Sequence, residues 1–174
     1  MTHPLSPPIQ PGRLHIKPAG SILGAVDGVW WPQSRDLPAE VNRIVVTLHA
    51  RMAHLERVCY RYSDWDPAPR KIWIEGELTR LDGYYLQALD TVRFVGGGVT
   101  LTLAVIPPGA ETDVAELATL LAMTGATSQS AHAFNVEAIA TTSATHQRHA
   151  AEREWESEGG HAPPSRPPQP SPSS

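Results

Sequence analysis

Eleven consecutive residues, Asp27-Gly28-Val29-Trp30-Trp31-Pro32-Gln33-Ser34-Arg35-Asp36-Leu37, bring two tryptophans, two carboxylates and an arginine together just ahead of a helix-patterned stretch. Loops favour small polar residues because their backbone must stay hydrated, so adjacent indoles there are either buried or offered to a partner. If the backbone is extended at Trp30-Trp31, successive side chains point to opposite sides, and one indole can enter the core while the other stays near the surface. Beside Asp27, Arg35 and Asp36, an exposed ring would suit a planar ligand or a proline-rich or cationic partner. As an enzyme, the same groups would use Asp27 as general base, Arg35 to hold an anion, and His15 or Tyr60 as acid. The structural alternative has both rings capping the open end of a sheet, Arg35 paired to Asp27, Asp36 capping the helix that begins at Pro38, and Gly28 supplying a positive φ.

A second constellation is the strand face that would carry Arg57, Arg61, Lys71, Trp73 and Arg93. Cations around an aromatic on a sheet can neutralise and stack a single-stranded nucleic acid. In the sequence Glu56, Glu75 and Glu77 interrupt this patch, which favours a solvated or helix-covered face. The histidines fix no metal: His49 and His54 are five apart where helical ligand pairs prefer three or four, and the better-spaced His146 and His149 have no clear third ligand. Gly96-Gly97-Gly98 lies between strands and opens no helix, which argues against a phosphate cradle. Cys59, the only cysteine, excludes an internal disulfide and reads as a small buried strand residue.

The elements that must position these groups follow from periodicity. Arg13 to Lys17 alternates as a half-buried strand, and Val26 to Trp31 reads as a short one. Val41, Ile44, Val45, Leu48, Met52 and Leu55 recur at helical spacing, predicting a helix from Pro38 to about His54. Strands follow over Arg57 to Tyr62, Lys71 to Glu75 and Leu78 to Leu81, with Gly76 as a bulge and Asp82-Gly83 as a turn. Thr91 to Val95 and Val99 to Ile106 form a hairpin about the glycines. A capping box at Asp113 and Glu116 opens a second helix carrying Val114, Leu117, Leu120 and Leu121, with Gly125 as its end. Phe134 to Glu158 supports a third helix with a thin apolar stripe. The fold class is α+β: a largely antiparallel sheet of about five or six strands packed with two amphipathic helices, plus a C-terminal helix.

With 174 residues the chain has room for one domain with a real core. The expected layout is a disordered N-terminal tail over 1–12, the α+β domain over 13–125, a C-terminal helical segment over 126–158 and a disordered proline-rich tail over 159–174. No signal-peptide pattern is visible, and no apolar run approaches the roughly 18 residues a spanning helix needs, so a cytoplasmic protein is expected. The net charge of −4 divides into +1 over residues 1–110 and −5 beyond, unlike a polybasic nucleic-acid or membrane binder.

With these residues laid out, the chain resembles an actinobacterial family of unknown function whose recurring segment reads Asp-Gly-Ala-Trp-Trp-Pro-Arg-Ser-Arg-Asp-Leu. Asp27 to Leu37 match it apart from Val29 and Gln33. The resemblance extends over Arg13-Leu14, Lys17-Pro18, Trp65, Ala68-Pro69-Arg70, Pro107-Pro108 and Trp155 to Gly160, covering roughly residues 12 to 160. It implies identity and no activity, and Gln33 removes one arm of an anion cradle built from two arginines. No complete catalytic set accompanies the motif. The reading is therefore a non-enzymatic binding or regulatory module that uses the Trp-Trp loop, with Asp27, Trp30, Trp31, Arg35 and Asp36 as candidate binding residues, no cofactor and no metal. The alternatives are a small-molecule-binding protein or enzyme with a pocket lined by Asp27, Trp31 and Arg35, and single-stranded nucleic-acid binding by the sheet face. The expected partner is a protein or a small molecule, with nucleic acid disfavoured and no membrane.

Overall fold

The computed structural model describes residues 13–21, 24–124 and 130–159; the two tails, Gly125 and the start of the segment after it lie outside these. Strands β1 (Leu14–Ile16), β2 (Gly28–Trp30), β3 (Arg57–Arg61), β4 (Lys71–Ile74), β5 (Glu77–Tyr84), β6 (Thr91–Gly96) and β7 (Val99–Val105) form one sheet in the order β1-β2-β7-β6-β3-β5-β4. Helices α1 (Leu37–Leu48), α2 (Thr112–Thr124) and α3 (Ala131–Glu158) complete the α+β fold. The chain divides into two compact units, one through Ala140 and one from Thr141. Among the described residues the second unit consists of the later turns of α3, with Trp155 exposed.

The sheet has seven strands and is mixed, not largely antiparallel with five or six. β2 runs parallel to β7 and β3 parallel to β5, while the other four neighbouring pairs are antiparallel. Each parallel pair is joined by a crossover, β2 to β7 and β3 to β5, a non-local pairing that local periodicity cannot reveal. Within the hairpins, two sequence expectations change. Glu75 and Gly76 both have positive φ, 49° and 84°, and form a two-residue turn between β4 and β5 in place of a bulge. Asp82-Gly83 is no turn but lies inside β5. There Asp82 meets Arg57 at 3.1 Å, and the missing Cβ of Gly83 leaves room for the Tyr62 ring. The hairpin turn at Gly97 and Gly98, φ 57° and 76°, stands as read.

One face of the sheet is covered by α1. Its core takes Val41, Ile44, Val45 and Leu48 from the helix and Val58, Val92, Phe94, Leu101 and Leu103 from the strands. The helix stops at Leu48, six residues short of expectation, yet Met52 and Leu55 beyond it are still buried in this core. Among the described residues the other face is covered over β2 and β7, where Val29 and Ala104 meet α2 and the first turns of α3. The buried stripe of α2 is Ala115, Ala118 and Ala122, while Leu120 is exposed. Small side chains let this helix lie close on the strands, with Leu117 and Leu121 packed half-buried at the edges of the contact.

Candidate functional site

In the structure the Trp-Trp segment is built from both sides of the sheet. Trp30, at the end of β2, has no exposed surface and lies in the α1-side core, its ring 5.3 Å from Trp65 and 5.8 Å from Phe94. Trp31, the next residue, packs half-buried against the α2-side core, with the Arg13 guanidinium 4.0 Å over its ring. That guanidinium also donates to the Trp31 and Pro32 carbonyls. The alternation expected from an extended backbone thus sends the two indoles into two different cores.

The polar members of the segment have internal partners too. Asp27 Oδ2 accepts from the Thr102 backbone N–H at 2.7 Å, where the chain enters β2 beside β7. Arg35 donates to the Ser63 carbonyl and stands 4.0 Å from Asp66, so it holds the loop that lays Trp65 on Trp30; its partner is not Asp27. Asp36 caps α1 by accepting from Ala39 N–H at 3.2 Å. Tyr60 is buried in the α1-side core, and burial pushes its phenol up from the ordinary value. The sketched set of Asp27, Arg35 and Tyr60 is therefore not brought together around a cavity. Gly28 has no positive φ. Its hydrogen is needed because a Cβ there would run into the His15 carbonyl and sit 2.9 Å from Ile16 Cα, both backbone of β1. Gly28→Ala is expected to cost about 1–3 kcal/mol and to loosen β1 from β2, read by urea unfolding and by faster amide exchange over residues 14–16.

One residue of this region escaped sequence reasoning. Glu40, on α1, is 2% exposed and accepts from Gln33 N–H at 3.1 Å and from the Ser34 hydroxyl at 2.9 Å, with Arg43 Nε 3.9 Å away. Arg43 also donates to the Gln33 side chain. Gln33 is thus one end of a small polar clasp.

The open surface lies elsewhere, on the uncovered half of the α2 side. Strand register puts Arg93 beside Thr102 on β7 and beside Cys59 on β3, and puts Arg57 level with Arg80 and Arg80 level with Lys71. Between Arg93 and the β5–β6 loop runs a groove of about 770 Å³, walled by Tyr84, Tyr85 and Leu86 on one side and by Val26 and Ala131 on the other. Its size and largely apolar wall are those of a small-ligand seat. The loop is pinned from below: Arg61 donates to the Gln87 carbonyl at 2.7 Å, and the Gln87 amide donates to the Cys59 and Thr91 carbonyls. Gln87 Oε1 is buried without a hydrogen-bond partner among the described residues. The opposite rim is pinned by Asp90, a non-glycine residue at φ 55° whose carboxylate meets His132 Nδ1 at 2.7 Å and Asn135 Nδ2 at 3.0 Å at the start of α3. Burial raises the Cys59 thiol above its ordinary range, with Arg93 pulling the other way.

The residues the sequence placed on this face behave unevenly. Arg61 is consumed in holding the loop and Arg57 in pairing with Asp82, whereas the side chains of Lys71 and Arg93 are exposed with no ion pair or hydrogen bond among the described residues. The three interrupting glutamates are not on this face. Glu77 lies opposite Ile74 on the α1 side. Glu75 reaches His49 at 3.2 Å. Glu56 meets His54 at 2.8 Å, and the Gly97 N–H, with His54 second, holds its carboxyl below the ordinary value. Tyr85, Leu86 and Asp90 were missed because a loop between strands gives no periodic signal, and Tyr84 and His132 because they stand at the end of β5 and the start of α3.

A model of a family of unknown function matches residues 13–123. The chain belongs to the DUF5994 family. The matched span of this DUF5994 chain contains the Trp-Trp segment, Glu40, Arg93 and the β5–β6 loop, and ends at Met123, well short of residue 160. No curated protein and no solved structure matches the chain. Among the described residues no helix is long and apolar enough to cross a membrane.

Proposed function

We propose that the chain is a non-enzymatic binding module whose ligand seat is the groove on the uncovered half of the sheet, and that the Trp-Trp loop shapes the sheet beside it instead of receiving the ligand. The observation that carries this reading is Arg93: an arginine whose side chain has no ion pair or hydrogen bond among the described residues, at the floor of an otherwise largely apolar groove of about 770 Å³. A guanidinium in that setting selects an anion carried on a flat or apolar body, because the ring walls supply contact area and the cation supplies orientation. The Asp27-to-Leu37 motif, which we read as the family's structural signature, has its polar groups engaged with the chain itself.

Thermal unfolding with a panel of aromatic and aliphatic carboxylates, sulfonates and mononucleotides tests this. A ligand at a hundredfold its Kd stabilises the native state by about 2.7 kcal/mol. Anionic members with a planar or apolar body are expected to raise Tm for the native chain and to lose most of that effect with Arg93→Gln. No shift from any anionic member, or equal shifts in both proteins, would overturn the reading.

A further inference from the structure

Resting on that reading, we infer that the uncovered sheet face takes single-stranded nucleic acid, with one base in the groove and the phosphates running across the strands toward β4. The groove does not end at the β5–β6 loop. Tyr84 is shared with a second depression of about 430 Å³, bordered by Arg57, Arg70, Lys71 and Arg80. From Arg93 on β6 through Arg57 on β3 and Arg80 on β5 to Lys71 on β4, cations stand on four adjacent strands. That is three interstrand steps, about 14 Å, room for several successive phosphates.

Against these cations the strands of this face offer one carboxylate, Asp82, which lies between Arg57 at 3.1 Å and Arg80 at 3.6 Å. Arg70, Lys71 and Arg93 have no ion pair among the described residues and are exposed. Of the glutamates that break the pattern in the sequence, Glu77 sits on the α1 side while Glu75 and Glu56 are paired with His49 and His54, so the strands of this face carry a positive balance although the chain as a whole carries −4. Aromatic surface is interleaved with the cations. Trp73, level with Leu78 on the same face, is 70% exposed, and Tyr85 is 78% exposed with its ring 4.8 Å from Tyr62. Exposed rings at spaced positions beside free cations are what unpaired bases and their phosphates require, and a duplex, whose bases are already stacked, cannot use them.

Fluorescence polarisation of labelled oligothymidylate and oligouridylate of about twelve nucleotides, titrated with the full chain, tests the inference. With three free cations engaged the salt slope is about −2, so binding should weaken about a hundredfold between about 20 and 200 mM salt. Lys71→Gln and Arg93→Gln should each flatten that slope by about 0.7, and Tyr85→Ala should weaken binding about tenfold at unchanged slope. All three side chains are exposed, and unaltered thermal unfolding of each variant confirms the fold. The two oligomers distinguish DNA from RNA as the source of the strand. No polarisation change at low salt, binding untouched by these substitutions, or duplex DNA bound as tightly as single strands would overturn the inference. If oligomers fail while small anions still stabilise the native chain and not Arg93→Gln, the binding module stands and only the nucleic-acid inference falls; if both fail, both fall.

Discussion

Trp30→Ala is expected to destabilise the domain by about 3–5 kcal/mol, a large part of the 5–15 kcal/mol that a typical domain possesses. The indole is wholly enclosed, its faces shared with Trp65 and Phe94 and its backbone carbonyl accepting from Ile106 N–H at 2.9 Å. Truncation removes the transfer energy of one of the two indoles of this core and leaves a cavity between α1 and the sheet that rigid strands cannot close. At about 2–4 °C per kcal/mol for a chain of 174 residues, Tm should fall by at least about 6 °C, or cooperative unfolding should vanish. Trp31→Ala, which strips only the half-buried ring beneath Arg13, is expected to cost about 1–2 kcal/mol. Trp155→Ala, at 76% exposure, should be within about 0.5 kcal/mol of the native chain. Urea unfolding of the three variants orders them, and equal losses for Trp30 and Trp155 would contradict the assignment.

Glu40→Ala carries the second large effect, about 2–4 kcal/mol, because it orphans several groups at once. The Gln33 N–H and the Ser34 hydroxyl lose their acceptor, and Arg43, whose Nε is buried, loses the carboxylate beside it. The cost falls where the Trp-Trp segment turns into α1, so loosening should spread to residues 31–36. Glu40→Gln keeps an acceptor oxygen and gives up the charge, and is expected to lose about half as much. Denaturation midpoints measure both, and amide exchange at Gln33 and Ser34 separates this cause from general destabilisation. An unchanged midpoint for Glu40→Ala would show that the clasp carries no stability.

How far the sequence reveals this molecule depends on which interactions are local. The α1 face, the glycine hairpin, the Asp36 cap and the opposite orientations of Trp30 and Trp31 follow from periods of 3.6 and 2.0 and from short-range hydrogen bonding, and all are found. The parallel pairings of β2 with β7 and of β3 with β5 join segments far apart in the chain, so the mixed character of the sheet left no local trace. Gly28 looked like a positive-φ position because close approach of β1 and positive φ both select glycine. The same ambiguity made Asp82-Gly83 resemble a turn. On the basic face the error was one of sides: neighbouring residues in a strand point oppositely, and turns redirect the glutamates at 56, 75 and 77 toward His54, His49 and the α1 side. Arg93 was visible as one cation among several. Its isolation at the floor of a groove depends on Arg61 and Gln87 pinning a loop, which only coordinates reveal.

Hydrogen–deuterium exchange with and without a saturating anionic ligand tests most directly where this chain binds. The account predicts protection gained over residues 57–61 and 84–93, flanking the groove, with no change over residues 27–37, already protected by Arg13, Glu40 and Thr102. Protection gained over 27–37 and absent from 84–93 would contradict it, returning the binding surface to the paired tryptophans.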